Sequence, residues 1–265
     1  LQTDTIIISA FLGVVWVGLI GTYKMIINSV SNYVNVIFNS VISSFGNLIA
    51  TEGKERQFEL FLVYRFFAIW VYGFSAVGFF MLLSPLVELY VGAERVLPAA
   101  IISWYLIDYF FKGERVVLSN FKTAAGVFEQ DKYLTLIQGL VNLVLSLALV
   151  TRMGMAGVYI GTVVSGIIAN ITKPIIIYRV CFEKKAGSYF ADSVKYLAVI
   201  GVTLLILIPL QNAVMPQVTI PKFILMMALI TVVFNGIFLL VFGRSREFKY
   251  LWRMGKGRLS CLLSK

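Results

Sequence analysis

Long uncharged apolar runs follow one another along nearly the whole chain, and they leave few folds open to it. They cover residues 5–23, 25–51, 66–87, 133–151, 153–172, 196–212 and 223–243, and an eighth apolar stretch, 97–121, carries charges inside it. A bilayer core about 30 Å thick takes about 20 helical residues to cross. Inside that core only a helix or a closed barrel satisfies its own backbone, and runs of this length predict helices. Hydrophobic residues make up 59% of the 265, charged residues only 14%, and mean hydropathy is +0.88. A soluble domain, with about 25% charged residues, cannot hide that much apolar surface. The expectation is an all-α polytopic membrane protein of about eight transmembrane helices, with almost nothing left over for a domain outside the bilayer.

Several chemistries are excluded by composition. The chain has no His, which removes a His metal site and a Ser/His triad. Its two cysteines, Cys181 and Cys261, are far apart and flanked by basic residues, so neither a disulfide framework nor a redox pair is expected. No GxxxxGK[ST] phosphate loop occurs. No catalytic residue, metal or cofactor is assigned. The sequence opens on Leu1 with the apolar pattern already running at Thr5, which reads as a start inside a helix and not as a signal peptide.

A net charge of +10 would suggest nucleic acid for a soluble protein, but here the placement of the charges decides. Loops on one side hold Lys54, Arg56, Lys122, Lys132, Arg179, Lys184, Lys185 and Lys195, and the tail after residue 243 adds seven more cations. The opposite loops hold Arg95, Arg152 and Lys222. The positive-inside rule therefore puts the start and the basic tail in the cytoplasm, with Glu88 and Glu94 outside. The tail mixes Phe248, Leu251, Trp252, Leu259 and Leu262 with its cations. It fits an amphipathic helix on an anionic leaflet, although a plain positive-inside anchor explains it as well and is the preferred reading.

Ionisable groups at membrane depth are costly and usually face a cavity or a partner. In the fourth span Asp108, Lys112, Arg115, Ser119 and Lys122 are spaced 4, 3, 4 and 3, which keeps them on one helical face, with Trp104 extending it. The functional reading is a cationic wall of a wet cavity that holds an anion. The alternative is local neutralisation, with Asp108 pairing to Lys112. In the second span Lys24, Asn28, Ser31, Asn32, Asn35 and Asn39 share a face. Four aligned Asn either hydrogen-bond sugar hydroxyls or join helices to one another, and both readings stay open. Arg65 opens the third span, where snorkelling to headgroups is the ordinary role. Asp4 is a candidate ion-coupling acid. Gly157, Gly161, Ser165 and Ala169 make a small-residue face for close helix packing, and Pro174 and Pro209 mark possible kinks.

The opening TDTIIISAFLG, followed by VGLIGTYKMIINSVSNYV and FNSVISSFGNLIATEGKE, resembles the start of the second half of bacterial polysaccharide flippases. These form the Wzx-like branch of the multidrug/oligosaccharidyl-lipid/polysaccharide exporter superfamily. GMAGVYIGTVVSGIIANITKPIIIYRVCF resembles the twelfth helix of that fold, and the motifs keep their order over residues 1 to about 180. The resemblance implies the second lobe of a MATE/MurJ-like two-lobe fold: residues 1–180 as a six-helix lobe with a truncated first helix, 181–243 as two peripheral helices, and 244–265 as a basic cytoplasmic tail. It implies a multi-pass protein of the bacterial cell membrane that flips an undecaprenyl-diphosphate-linked oligosaccharide from the inner to the outer leaflet by alternating access. Its partners would be that lipid-linked oligosaccharide, the lipid bilayer and a polysaccharide polymerase or glycosyltransferases, with no nucleic acid. By analogy with MurJ-type lipid II flippases, Lys24, Arg65, Lys112 and Arg115 are positional candidates for the diphosphate. Alternatives are a multidrug antiporter, which the basic excess disfavours, and a non-transporting scaffold of a polysaccharide synthesis complex. A membrane glycosyltransferase is weaker still, because the loops hold no DxD motif.

Overall fold

The computed structural model describes residues 2–263, of which the side chains of Gln2, Asp131, Gly255 and 257–263 are left out. The side chains of the tail residues Arg258, Leu259, Cys261 and Leu262, and Lys265 altogether, lie outside the described residues. The chain is 90% helical, with no strand among the described residues. Its helices are α1 (Gln2–Leu12), α2 (Val14–Asn39), α3 (Ile42–Thr51), α4 (Lys54–Val91), α5 (Ala99–Ala125), α6 (Lys132–Phe182), α7 (Gly187–Val214), α8 (Ile220–Phe242) and α9 (Arg246–Leu263).

Five segments are long and apolar enough to cross a membrane: Val14–Thr51, Lys54–Val91, Lys132–Phe182, Gly187–Val214 and Ile220–Phe242. The 27-residue α5 is not among them, and Asp108, Lys112, Glu114 and Arg115 in its middle are the reason. The outer surface carries large apolar side chains over most of its extent, including Leu205, Val232 and Leu240, the last 87% exposed. Surface of that kind belongs in lipid. The chain is an all-α, membrane-embedded protein.

Two apolar clusters organise the helices. The larger joins α1 to α6 and the start of α7, with Phe38, Phe61, Phe121 and Tyr178 wholly buried. The smaller packs α7, α8 and the start of α9 against one side of α4 through Phe66, Met226, Phe234 and Phe238. Polar contacts hold α7 and α8 to α4 inside this apolar region: Trp70 Nε1 donates to Asn235 Oδ1 at 2.9 Å, and Gln211 Nε2 to the Met81 carbonyl at 2.7 Å.

Glycine explains the sharpest features. Gly13 breaks the chain between α1 and α2, at φ 93°, whereas Gly18 sits inside α2. In α6, Gly154 adopts φ 59° and ψ −140°, a conformation open to glycine, and the helix folds back there into two antiparallel limbs. A Cβ on Gly157 would stand 2.4 Å from the Leu149 carbonyl oxygen, and one on Gly161 would stand 2.8 Å from Ser146 Oγ. The limbs are in backbone contact, as the small-residue spacing predicts. Ser165 and Ala169 are buried on the same limb. Pro174 and Pro209 sit inside α6 and α7, which continue through them.

The break between α2 and α3 has no Gly or Pro. The Phe38 carbonyl, close to the end of α2, accepts from Tyr64 Oη and, at 2.9 Å, from Asn120 Nδ2. Side chains of α4 and α5 thus add two donors to a carbonyl near a helix end that the backbone satisfies weakly, through the Val41 N–H at 3.5 Å.

Candidate binding cavity

Between α2, α4 and α5 lies a cavity of about 210 Å³ whose walls mix polar and apolar groups. From α2 come Asn28, Ser31 and Asn35, from α5 Tyr105, Asp108, Tyr109 and Lys112, and from α4 Tyr72. Residues of the two polar stripes therefore meet.

Close approach of α4 and α5 makes the pocket. A Cβ on Gly113 would stand 2.2 Å from the Tyr72 ring, so the ring comes this close to α5 only because residue 113 has no side chain. Tyr72 Oη then donates to Asn35 Oδ1 at 2.6 Å, tying α4 to α2. Tyr109 Oη and Ser75 Oγ are 2.9 Å apart and share a hydrogen bond.

The charged pair sits on one wall. Lys112 Nζ donates to Asp108 Oδ2 at 2.5 Å, and the exposures of the two side chains are unequal, 51% for Lys112 and 8% for Asp108. An ammonium has three donors, so the aspartate leaves Lys112 with spare capacity on its open side. The cavity offers amide, phenol, hydroxyl and ammonium groups at once, the inventory needed to bind a polyhydroxylated or anionic group.

The remaining sequence candidates sit elsewhere. Asn32 and Asn39 lie on the same face of α2 but are exposed outside the cavity. Lys24 turns to α1 and α6, donating to Thr5 Oγ1 at 3.3 Å, with its Nζ 5.9 Å from the Tyr159 ring centroid. Trp104 packs half-buried on the core. Arg115 is buried and donates to the Gly166 carbonyl at 2.8 Å. A Cβ on Gly166 would make only ordinary van der Waals contact, 3.7 Å from Arg115 Nη1 and 3.9 Å from Asp108 Oδ1. Ser119 accepts from Lys173 Nζ at 3.4 Å, and Lys122 Nζ is 5.3 Å from the Phe128 ring centroid at the end of α5. Asp4 is buried among the limbs of α6, accepting from Thr162 Oγ1 at 3.4 Å, while Thr162 also accepts from Asn142 Nδ2 at 3.0 Å.

Arg65 does not snorkel. It is 2% exposed, pairs with Glu114 at 3.1 Å, donates to the Tyr189 carbonyl at 2.9 Å and to Ser193 Oγ at 2.7 Å, and lies 3.6 Å from the Tyr189 ring centroid. Ser193 in turn donates to Glu114. This neutral buried cluster joins α4, α5 and α7, away from the cavity. Of the four cations considered for a diphosphate, Lys112 alone lines the pocket.

The tyrosines escaped the sequence reading. On α5 the cavity face runs through Tyr105, Asp108, Tyr109, Lys112, Gly113 and Val116. At 100° per residue it is rotated by roughly 70° from the arc through Asp108, Lys112, Arg115, Ser119 and Lys122. The 105, 109, 112, 116 spacing carried the signal, hidden because tyrosine also reads as core. Among the described residues no group of three His, Cys, Asp or Glu is placed to hold a metal.

No known protein family, curated protein or solved structure matches the chain.

Proposed function

We propose that the chain is the second lobe of a lipid-linked polysaccharide flippase and that the cavity between α2, α4 and α5 receives the hydrophilic part of its substrate. The meeting of Asn28, Ser31 and Asn35 with Lys112, Asp108 and three tyrosines supports this reading best. A glycan presents many hydroxyls and a polyprenyl diphosphate presents anionic oxygens, and amide, phenol and ammonium groups serve both. The exposed Asn28, Asn32 and Asn39 on α2 support it too, since amides on a membrane helix are poorly placed against hydrocarbon and well placed against a wet path or an opposing lobe.

In this reading the chain crosses the membrane about eight times. The α1 segment, the α2–α3 unit, α4, the charged α5 and the two limbs of α6 form the six-helix lobe of residues 1–180. The helices α7 and α8 form a peripheral pair within 181–243, and 244–265 is the cytoplasmic tail in a bacterial cell membrane. Substrate moves from the inner to the outer leaflet by alternating access, in contact with polymerase or glycosyltransferases that make and use it.

Asp108 in the cavity wall is the one feature that favours a cation antiporter, and its pairing with Lys112 weakens that alternative. Thiol protection separates the two. With Cys181 and Cys261 replaced by Ser, Asn28→Cys should react with a water-soluble thiol reagent in membranes. Added lipid-linked oligosaccharide should slow that reaction at least severalfold, and a lipophilic cation should not. Protection by the cation alone would favour the antiporter, and an unreactive Asn28→Cys would remove the wet cavity from the account.

A further inference from the structure

The basic tail carries a surface that the transport reading does not use. On α9, Arg246, Lys249, Arg253 and Lys256 are spaced 3, 4 and 3, which sets all four within about 80° of arc. All four are exposed. The opposite side of α9 is anchored: Phe248 and Leu251 pack on the α4, α7 and α8 cluster, and the Phe248 ring lies 6.0 Å from Trp70. The cations are thereby held outward in a fixed row, with the 58% exposed Trp252 along one edge.

Along the other edge runs an apolar groove of about 500 Å³ between α3, α4 and α9. Phe45, Leu48, Tyr64, Leu251 and Met254 form much of its lining, and Ser44, Asn47, Thr51 and Glu52 also lie in its wall. That volume falls within the range of about 300–1,000 Å³ typical of ligand pockets. A smaller polar pocket of about 270 Å³ adjoins it, sharing Leu60, Val63 and Tyr250. Arg56, Glu59, Arg246 and Glu247 line the smaller pocket, with Arg56 donating to Glu59 at 3.0 Å, so Arg246 stands where this pocket meets the α9 row. By helical angle, Arg246 and Arg253 stand on the row's groove side, next to Tyr250 and Met254, while Lys249 and Lys256 stand farther round.

We infer that this is a binding site for an anionic phospholipid, with an acyl chain in the groove and the phosphate on Arg246 and Arg253. Charge complementarity selects the occupant. An apolar slot beside an outward cationic row in a membrane-embedded protein matches a molecule with a long hydrocarbon chain and a negative headgroup, and juxtamembrane Lys and Arg attract such headgroups. The inference is independent of what the central cavity binds.

Full-length protein in phosphatidylcholine nanodiscs containing a rising fraction of acyl-brominated phosphatidylglycerol provides the test. Bromine quenches nearby tryptophan, and the difference between Trp252→Phe with Met254→Trp and Trp252→Phe alone isolates the signal of a tryptophan in the groove lining. Half-quenching should come at a low anionic fraction, and brominated phosphatidylcholine should require far more. Arg246→Gln with Arg253→Gln should raise the midpoint about tenfold or more. Ser44→Phe, which keeps every charge and obstructs the groove, should do likewise. Lys249→Gln with Lys256→Gln removes the same charge from the far side and should shift the midpoint less than about threefold. Equal shifts for the two charge pairs would mean diffuse surface attraction and would overturn the site. So would an unchanged midpoint in Ser44→Phe or in the arginine pair.

Discussion

Arg65 and Arg115 show how a charge in an apolar run is read wrongly from its position alone. Both were candidates for an anionic ligand, and both are engaged inside the protein, Arg65 with Glu114, Ser193 and Tyr189, and Arg115 with the Gly166 carbonyl. Removing one partner from a buried ion pair leaves an uncompensated charge at a cost of about 3–5 kcal/mol. Glu114→Ala should therefore destabilise the protein by that order, read as thermal unfolding in detergent, whereas Arg65→Met with Glu114→Leu should cost much less. Asn35→Ala and Tyr72→Phe should each cost only about 0.5–1.5 kcal/mol in stability, the ordinary value of one hydrogen bond, yet slow transport severalfold at matched protein levels. Sequence spacing brought Asn28, Asn35, Asp108 and Lys112 to notice, since four- and three-residue steps place groups on one face. It did not distinguish a cavity-lining Lys112 from a buried Arg115, because that depends on which neighbour each side chain meets across α4 and α6.

At the scale of elements, hydropathy marked the apolar middles of helices and not their ends. The run 66–87 belongs to α4, which extends over Lys54–Val91, because Lys54, Glu55, Arg56 and Glu59 continue the helix into a polar layer. Ion pairs gather there, Lys54 with Glu183 and Lys184 with Glu55, and Lys54 holds the Glu183 carboxyl below the usual range. The end of α2 was not legible, for it rests on Tyr64 and Asn120 binding the Phe38 carbonyl across the fold. The turn in α6 was partly legible, since Gly154 lies between two apolar runs and the Gly157, Gly161 spacing announces close packing. Gly157→Ala would meet backbone, the Leu149 carbonyl oxygen, so it should cost about 1–3 kcal/mol or more by overpacking and lower the unfolding temperature. Gly139→Ala, with open space around it, should leave that temperature nearly unchanged. Gly113→Ala should displace the Tyr72 ring and open its bond to Asn35, which a loss of Asn28→Cys protection by substrate would report.

For the whole molecule, the apolar runs announced a helical membrane protein and the structure has that character, with apolar side chains outside and a polar pocket within. Leu205 is 74% exposed and Leu229 packs in the α7–α8 cluster, and neither lines the central cavity. The proposed topology is open to labelling in the background lacking Cys181 and Cys261. Lys185→Cys and Lys256→Cys should resist an impermeant thiol reagent added outside intact cells, while Glu94→Cys and Asn212→Cys react, and the reverse pattern would invert the topology. The central claim, that the cavity of α2, α4 and α5 carries a lipid-linked glycan, is met most directly by export. The quantity to measure is surface polymer in cells expressing Lys112→Glu at the parental protein level. Lys112→Glu turns the Asp108 pair into two like charges at the one ammonium of the pocket, and a lost charge-assisted contact alone is worth about 1.5–3 kcal/mol, so export should fall at least tenfold. Export at the parental rate, with the variant folded in the membrane, would contradict the account.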